Sequence, residues 1–291
     1  MSGAVRGERA WICATCGNQA APGEEPPEHC RICADERQYI GPQGQRWTTL
    51  EELAEKGHRA DVREVEPGLL GIGVQPRFAI GQRALVVATP AGQVLWDVPG
   101  FVDETAIEAV RERGPLLAVT ASHPHFYGVA VEWSRAFDGA PILIPEADAE
   151  WLMRPDPAVR LWRDTHEITP GVTLVQCGGH FPGSAVLHWA DGADGRGVLL
   201  TGDTVTVVAD RRFVTFMRSY PNQIPLPERG IRHIIDRLEP YAFDRVYGGW
   251  WDSVIPADAK DAIRRSAERY ITWATGAVDP GTYLGSGTTS A

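Results

Sequence analysis

Two histidines stand one residue apart in the segment ASHPHFYGVAVEW, directly after an apolar run at residues 116–119. A short apolar run of this kind is typical of a buried strand, so His123 and His125 are expected just beyond a strand end. Imidazole nitrogens are common ligands of borderline divalent metals, and the pair therefore indicates a metal site. The next two positions, Tyr127 and Gly128, do not offer further ligands of that kind.

Three more candidate side chains follow other strand-like runs. His180 lies in the Gly-rich turn of CGGHFPGS, Asp203 ends GVLLTGD, and Asp97 ends GQVLWDV. A strand end followed by a tight turn presents its side chain to a cleft from a rigid scaffold. Histidines and carboxylates delivered from several such ends predict a nitrogen- and oxygen-ligand site for a divalent metal.

Four of the five cysteines form two C-x-x-C pairs near the N-terminus, namely Cys13 with Cys16 and Cys30 with Cys33. In a reducing cytosol this pattern favours a metal site over disulfides, and tetrahedral four-thiolate sites suit zinc or iron. The interval between the pairs is rich in Pro, Gly and Glu, so it is expected to be loop and to need the ion to fold. Four ligands fill a tetrahedron, which favours a structural role.

The remaining sequence predicts a mixed α/β domain. Short β-rich runs recur, and helical patterns interrupt them in two halves, which suggests two sheets between helices. The strand runs are RALVVAT, GQVLWDV, PLLAVTAS, PILIPE, GVTLVQCGG, SAVLHWA, GVLLTGD and FDRVYGGW. The helical patterns are DETAIEAVRERG, LPERGIRHIIDRLEP and PADAKDAIRRSAERYITWATG. We expect a metal-binding segment at residues 1–40, the main domain at 41–275 and a flexible tail at 276–291.

Composition narrows the choice of partners. The 38 acidic and 28 basic residues among 291 give a net charge of -10, which argues against a sequence-independent grip on nucleic acid. No apolar run approaches the roughly 20 residues of a membrane span, and the N-terminus lacks the apolar stretch of a secretory signal. We therefore expect a cytoplasmic protein that acts on a small molecule, with no nucleic-acid or membrane partner. Nothing in the sequence fixes its oligomeric state.

The cysteine-rich segment resembles the zinc-ribbon and rubredoxin-like knuckles, in particular the compact form of rubrerythrins, through CATCG and CRIC. The resemblance covers about thirty residues. Such ligand sets accept zinc or iron, so both metals stay open.

The motifs LWDVPG, SHPHFYG, GGHFPGS and TGDT occur in the order and approximate spacing of those of the metallo-β-lactamase superfamily, which residues from about 60 to 275 resemble. The resemblance implies an αββα sandwich with a metal cleft at one edge of its sheets, and a hydrolase. It implies that His123, His125 and His180 form the first metal site. Asp203 matches the carboxylate that normally bridges two metals, and Asp97 matches an acidic residue that supports the site.

The chain departs from that family's pattern at the second metal site. The usual motif is His-x-His-x-Asp-His, but Tyr127 and Gly128 stand where its last two ligands would be. The late histidine is replaced by Gly249 or Trp250 in VYGGWWDS. We therefore expect the second metal to be lost and the first to be kept, with Tyr127 and Trp250 filling the volume. Tyr127 is also a candidate hydrogen-bond donor to substrate.

The combined prediction is a metal-dependent hydrolase with one zinc in the cysteine site and one in the histidine site, although iron suits either. A metal-bound hydroxide would attack an ester, thioester or lactone, while Asp203 orients it and accepts its proton. Two alternatives stay open. One is an iron-dependent oxidoreductase or oxygenase fed by a rubredoxin-like head, and the other is a degenerate metal-binding protein without catalysis.

Overall fold

The N-terminal part of the protein is held by one short strand pair. A computed structural model describes residues 9–284, so residues 1–8 and the end of the predicted tail lie outside the described chain. Strand β1 (Ile12–Cys13) pairs antiparallel with β2 (Trp47–Thr48). We call residues 9–48 the knuckle. The predicted boundary at residue 40 falls inside this segment and stays a prediction.

The first of two large sheets has seven strands in chain order. Its first four strands are antiparallel to one another and its last four are parallel. The strands are β3 (Arg59–Glu66), β4 (Leu69–Gln75), β5 (Ala84–Thr89), β6 (Gly92–Trp96), β7 (Leu116–Thr120), β8 (Ile142–Pro145) and β9 (Val159–Trp162). Strands β5 to β8 are those that the apolar runs predict, whereas β3, β4 and β9 lie outside the predicted runs.

The second large sheet has six strands and contains one parallel pair. Its order is β10, β11, β12, β13, β18 and β19, and only β13 and β18 run parallel. These strands are β10 (Thr165–Thr169), β11 (Val172–Gln176), β12 (Ala185–Trp189), β13 (Val198–Leu200), β18 (Arg245–Tyr247) and β19 (Val254–Ile255). Two small hairpins lie between β13 and β18 in the sequence. They are β14 (Thr206–Val207) with β15 (Val214–Thr215), and β16 (Met217–Ser219) with β17 (Ile224–Pro225).

Helices cover the outer face of each sheet. The α-helices are α1 (Leu50–Glu55), α2 (Glu104–Arg111), α3 (Ala130–Ala136), α4 (Gly192–Gly195), α5 (Glu228–Leu238), α6 (Ala259–Ala274) and α7 (Gly281–Leu284), and two 3₁₀ helices span Pro124–Phe126 and Glu146–Trp151. Side chains of α2 and α3 share a core with the first sheet, and those of α5 and α6 share one with the second. A third core fills the space between the sheets. This is the predicted αββα sandwich. Within residues 9–284 there is no helix that could span a membrane.

The sequences of α5 and α6 explain why these helices pack on the second sheet. In α5, Ile231, Ile234 and Leu238 are buried, and their spacing places them on one face of a helix. In α6, Ile263 and Ala267 are buried and lie four residues apart, on one face of the helix. The apolar stripes therefore hold both helices against the second sheet.

The predicted site residues lie where strands end along one edge of the sandwich. Asp97 directly follows β6, and the His-x-His segment follows the adjacent parallel strand β7. His180 follows β11, and Asp203 follows β13. Because the fold brings these strand ends together, four residues far apart in sequence reach one buried centre.

Candidate metal centre

Three histidines and one aspartate converge on a single point. The facing atoms are His123 Nε2, His125 Nδ1, His180 Nε2 and Asp203 Oδ2, and potential ligand atoms of the group all lie within 4.8 Å of one another. His125 Nδ1 lies 3.2 Å from both of the other histidine nitrogens, and His123 Nε2 lies 3.6 Å from the Asp203 oxygen. All four side chains are buried.

Hydrogen bonds on the outer side of two rings fix which nitrogen faces the centre. The Ser122 hydroxyl donates to Asp97 Oδ1 at 2.8 Å, so it accepts from His123 Nδ1, also at 2.8 Å. His180 Nδ1 donates to the Met217 carbonyl at 3.3 Å. Both Nε2 atoms therefore carry a lone pair directed inward, as a metal ligand requires.

The convergence of lone pairs matches the geometry of a bound cation. Metal–nitrogen bonds of about 2.0 to 2.1 Å place the donors of a tetrahedral zinc site about 3.4 Å apart. Burial lowers the pKa of His180 to about 3 and lowers the pKa values of His123 and His125 well below the usual value. The rings are thus neutral and able to bind metal at pH 7, and these residues fit a divalent ion.

Two buried carboxyl groups lie near His123, Asp203 beside its inward nitrogen Nε2 and Asp97 behind Ser122, which contacts Nδ1. Burial raises the pKa of Asp203 to about 7, and the Thr206 hydroxyl donates a hydrogen bond to it at 3.1 Å. Burial also raises the pKa of Asp97 to about 8, and nearby Asp203 adds to this shift. Asp97 accepts hydrogen bonds from the backbone and hydroxyl of Ser122, so it reaches His123 only through that serine.

Gly128 and Gly249, two positions at which the family pattern could place second-site histidines, have no room for a Cβ atom. Gly128 has a φ of +47°, and a Cβ there would lie 2.2 Å from the Val98 carbonyl oxygen. A Cβ on Gly249 would lie 2.8 Å from the ring of Phe126. Backbone and aromatic atoms thus occupy the space that a histidine would need at either position.

Tyr127 and Trp250 both pack in the apolar core of the first sheet. Tyr127 is buried in the core of the first sheet, and its hydroxyl has no hydrogen-bond partner among the described residues. Trp250 packs edge-on against Phe126 at 5.8 Å between ring centroids and donates to the Ile80 carbonyl at 3.1 Å. A catalytic role for Tyr127 stays a prediction.

The four cysteines form a second group of converging donors. Cys13 Sγ lies 3.7 Å from Cys33 Sγ, and Cys16 Sγ lies 3.7 Å from Cys30 Sγ. Metal–sulfur bonds of about 2.3 Å place tetrahedral thiolates about 3.8 Å apart, so the spacing fits a four-thiolate ion. Amide donors reach two of the sulfurs: Asn18 Nδ2 lies 3.4 Å from Cys16, and Gln45 Nε2 lies 3.2 Å from Cys13.

Sequence reasoning did not find Ser122 and Arg37, two of the residues that contact the histidine site. Ser122 directly precedes the first histidine, so the tetrapeptide SHPH could have indicated it. Tyr220 donates from its hydroxyl to the Asp203 carbonyl at 3.0 Å, and its ring lies 5.6 Å from His180. Arg37 donates to the His180 carbonyl across 143 positions of sequence, and no local pattern signals such a contact.

The comparisons with known proteins agree with this fold. Solved structures that resemble the protein include the DIM-1 metallo-β-lactamase, with a TM-score of 0.53 and 14% identity over 73% of this chain and 98% of that chain. A B3 metallo-β-lactamase with an active-site glutamic acid gives a TM-score of 0.51 and 17% identity over 80% and 97%. The protein therefore has the metallo-β-lactamase fold, with a four-cysteine cluster near its N-terminus and a buried His-His-His-Asp group.

A much nearer relative is found by sequence. The chain is 46% identical over 263 residues to protein YmaE of Bacillus subtilis (strain 168), covering 90% of this chain and 95% of the relative. It belongs to the same family as YmaE. No family model matches the chain.

Proposed function

We propose that the protein is a metal-dependent hydrolase with a single ion in the cleft, held by His123, His125 and His180. The observation that carries this proposal is the convergence of three neutral imidazole nitrogens and the Asp203 oxygen in one buried site. A divalent ion bound there would supply a nucleophilic water at neutral pH and polarise a carbonyl group.

The chain's own residues would orient and deprotonate the attacking water. Asp203 lies on the inner side of the site, 3.6 Å from His123 Nε2, and either completes the ligand set or stands one water away. A carboxylate at this position can orient the attacking water and accept its proton. Ser122 and Asp97 hold the His123 ring by hydrogen bonds and keep its inward nitrogen unprotonated.

A single ion favours substrates with good leaving groups. The closed positions Gly128 and Gly249 support one metal, because neither can carry a histidine without displacing backbone or ring atoms. A second ion would normally stabilise the leaving group. Without one, thioesters, lactones and activated esters are better substrates than amides.

Metal analysis together with a substrate panel tests the proposal. The purified protein should contain about two metal equivalents, and His180→Ala should lose one of them together with hydrolysis of acetyl thioesters and lactones. A His233→Ala variant controls for loss of a histidine outside the site. Hydrolysis that persists in His180→Ala at the wild-type rate would refute the proposal.

One observation favours a second candidate, an iron-dependent oxidoreductase. Asn18 bridges Cys16 Sγ and the His125 carbonyl, so a rubredoxin-like iron would lie one side chain away from the histidine loop. Iron at both sites would give a coloured protein, and a colourless preparation with zinc would exclude this candidate in favour of the hydrolase.

A further inference from the structure

The knuckle contacts the backbone of two histidines directly. Asn18 is buried, and its Nδ2 donates both to Cys16 Sγ at 3.4 Å and to the His125 carbonyl at 3.1 Å. One amide group therefore joins a cysteine sulfur to the histidine loop. The Gln19 amide adds a backbone hydrogen bond to the Gly128 carbonyl at 3.2 Å.

Arg37 makes the second connection, on the opposite histidine loop. Its Nε donates to the His180 carbonyl at 2.8 Å, and its Nη1 donates to Asp35 at 2.8 Å. The guanidinium lies 4.2 Å from the centroid of the Phe181 ring. These three contacts leave the planar Arg37 guanidinium little conformational freedom, so the position of Arg37 fixes the position of the His180 backbone.

We propose that the knuckle is a positioning device for the histidine site, and that metal bound by the cysteines raises the metal affinity of the histidines. Asn18 and Arg37 are the positioning residues. A metal ion bound by the four cysteines would order the turns that carry Asn18 and Arg37, because a segment this small folds around its metal. The proposal rests on metal binding at the two sites but not on the reaction that the protein catalyses.

Variants that remove the two donors test this proposal. Asn18→Leu and Arg37→Met keep the approximate side-chain volume and abolish the hydrogen bonds. Arg31→Met is the matched control, because Arg31 also joins the knuckle to the domain, by a bond to the Glu150 carbonyl at 2.7 Å, but does not touch a histidine loop. Arg37→Lys tests for partial rescue and serves if Arg37→Met does not fold.

The measurement is Co²⁺ affinity at the histidine site by chelator competition, with thiolate charge-transfer absorption reporting the cysteine site separately. Asn18→Leu and Arg37→Met should each weaken the histidine site roughly tenfold, the scale seen when residues behind metal ligands are changed. They should also alter its d–d spectrum, whereas Arg31→Met should leave both unchanged. Wild-type affinity in the two test variants would overturn the proposal, and His180→Ala shows independently whether the site binds metal.

Discussion

Single glycines support the proposal that the cleft holds one metal. A carboxylate or imidazole needs a Cβ, and the backbone oxygen of Val98 excludes one at Gly128. If the second site is lost as we propose, that loss is built into the main chain and does not depend only on the missing ligand side chains. Restoring histidine at this position would require the 98–99 segment to move.

Gly128→Ala should destabilise the protein more than Gly139→Ala. Both glycines have positive φ, so alanine is strained at each, but a Cβ at Gly139 meets nothing within 4 Å. The clash at Gly128 should add about 1–3 kcal/mol to the loss of unfolding free energy. Urea denaturation of both variants measures the difference, and equal losses would contradict the steric explanation.

Ser122→Ala should weaken metal binding at the histidine site by roughly 10- to 100-fold, since His123 would lose the acceptor that fixes its ring. Chelator competition measures the affinity. Ser134→Ala, which removes a buried hydroxyl of α3 that donates to the Ala140 carbonyl, should leave it unchanged. An affinity loss of equal size in both variants would point to general destabilisation.

Asp148→Asn should change how stability depends on pH. Asp148 accepts from the Gly183 amide at 2.7 Å, and burial raises its pKa from 3.8 to about 7. The folded state therefore holds this proton more tightly than the unfolded state. The resulting stabilisation is complete below about pH 4 and is lost as the pH rises to 7. The unfolding free energy of the variant minus that of wild type should thus increase by roughly 2 kcal/mol between pH 5 and 8, and a constant difference would contradict the assignment.

At the level of elements, the sequence predicts the strands that carry the site better than those that only complete the sheet. Strands β5 to β8 are apolar runs, and such runs are typical of strands buried on both faces. Strand β4 contains Gly71 and Gly73, which lower strand propensity. A Cβ at either glycine would lie within 3.0 Å of Trp251, so both are explained by packing from the far end of the chain.

The residues of the candidate site also divide into those that sequence patterns predict and those that they do not. The strand–turn motifs contain the histidines and Asp203, and their positions at strand ends, together with the family resemblance, predict that they meet. The contacts of Asn18 and Arg37 join residues 107 and 143 positions apart. Periodicity and turn signals act over a few residues, so these long-range contacts depend on tertiary packing that sequence patterns do not encode.

Asp103 should contribute more to stability than its helix cap alone. Its side chain caps α2 by accepting from the Ala106 amide at 3.0 Å and also accepts from the Ala60 amide of β3 at 2.8 Å. Asp103→Ala should lower the unfolding free energy by about 2 kcal/mol, because two backbone donors lose their partner. Glu104→Ala, at the exposed next position, should cost less than about 0.5 kcal/mol. Similar losses in the two variants would argue against the double contact.

At the scale of the whole molecule, the protein has two regions held together by different forces. The sandwich has three apolar cores, whereas the buried cluster of the knuckle consists of its four cysteines and Ile32. Among residues 9–48 the strands are the two-residue β1 and β2. We therefore expect the knuckle to depend on a bound metal for its order, whereas the sandwich depends on burial of apolar surface.

Removing the metals should expose the knuckle to proteases before the sandwich. Without an ion, four thiols lose their common centre, and the short β1–β2 pair cannot order the surrounding loops. Limited proteolysis after chelation, followed by mass spectrometry, should show the first cleavages within residues 9–48 and a persistent fragment that contains the sandwich. His180→Ala with its cysteine site loaded should resist cleavage as the untreated protein does, because the knuckle metal is still present. First cleavages inside residues 59–274, or equal resistance with and without chelator, would contradict a metal-ordered knuckle.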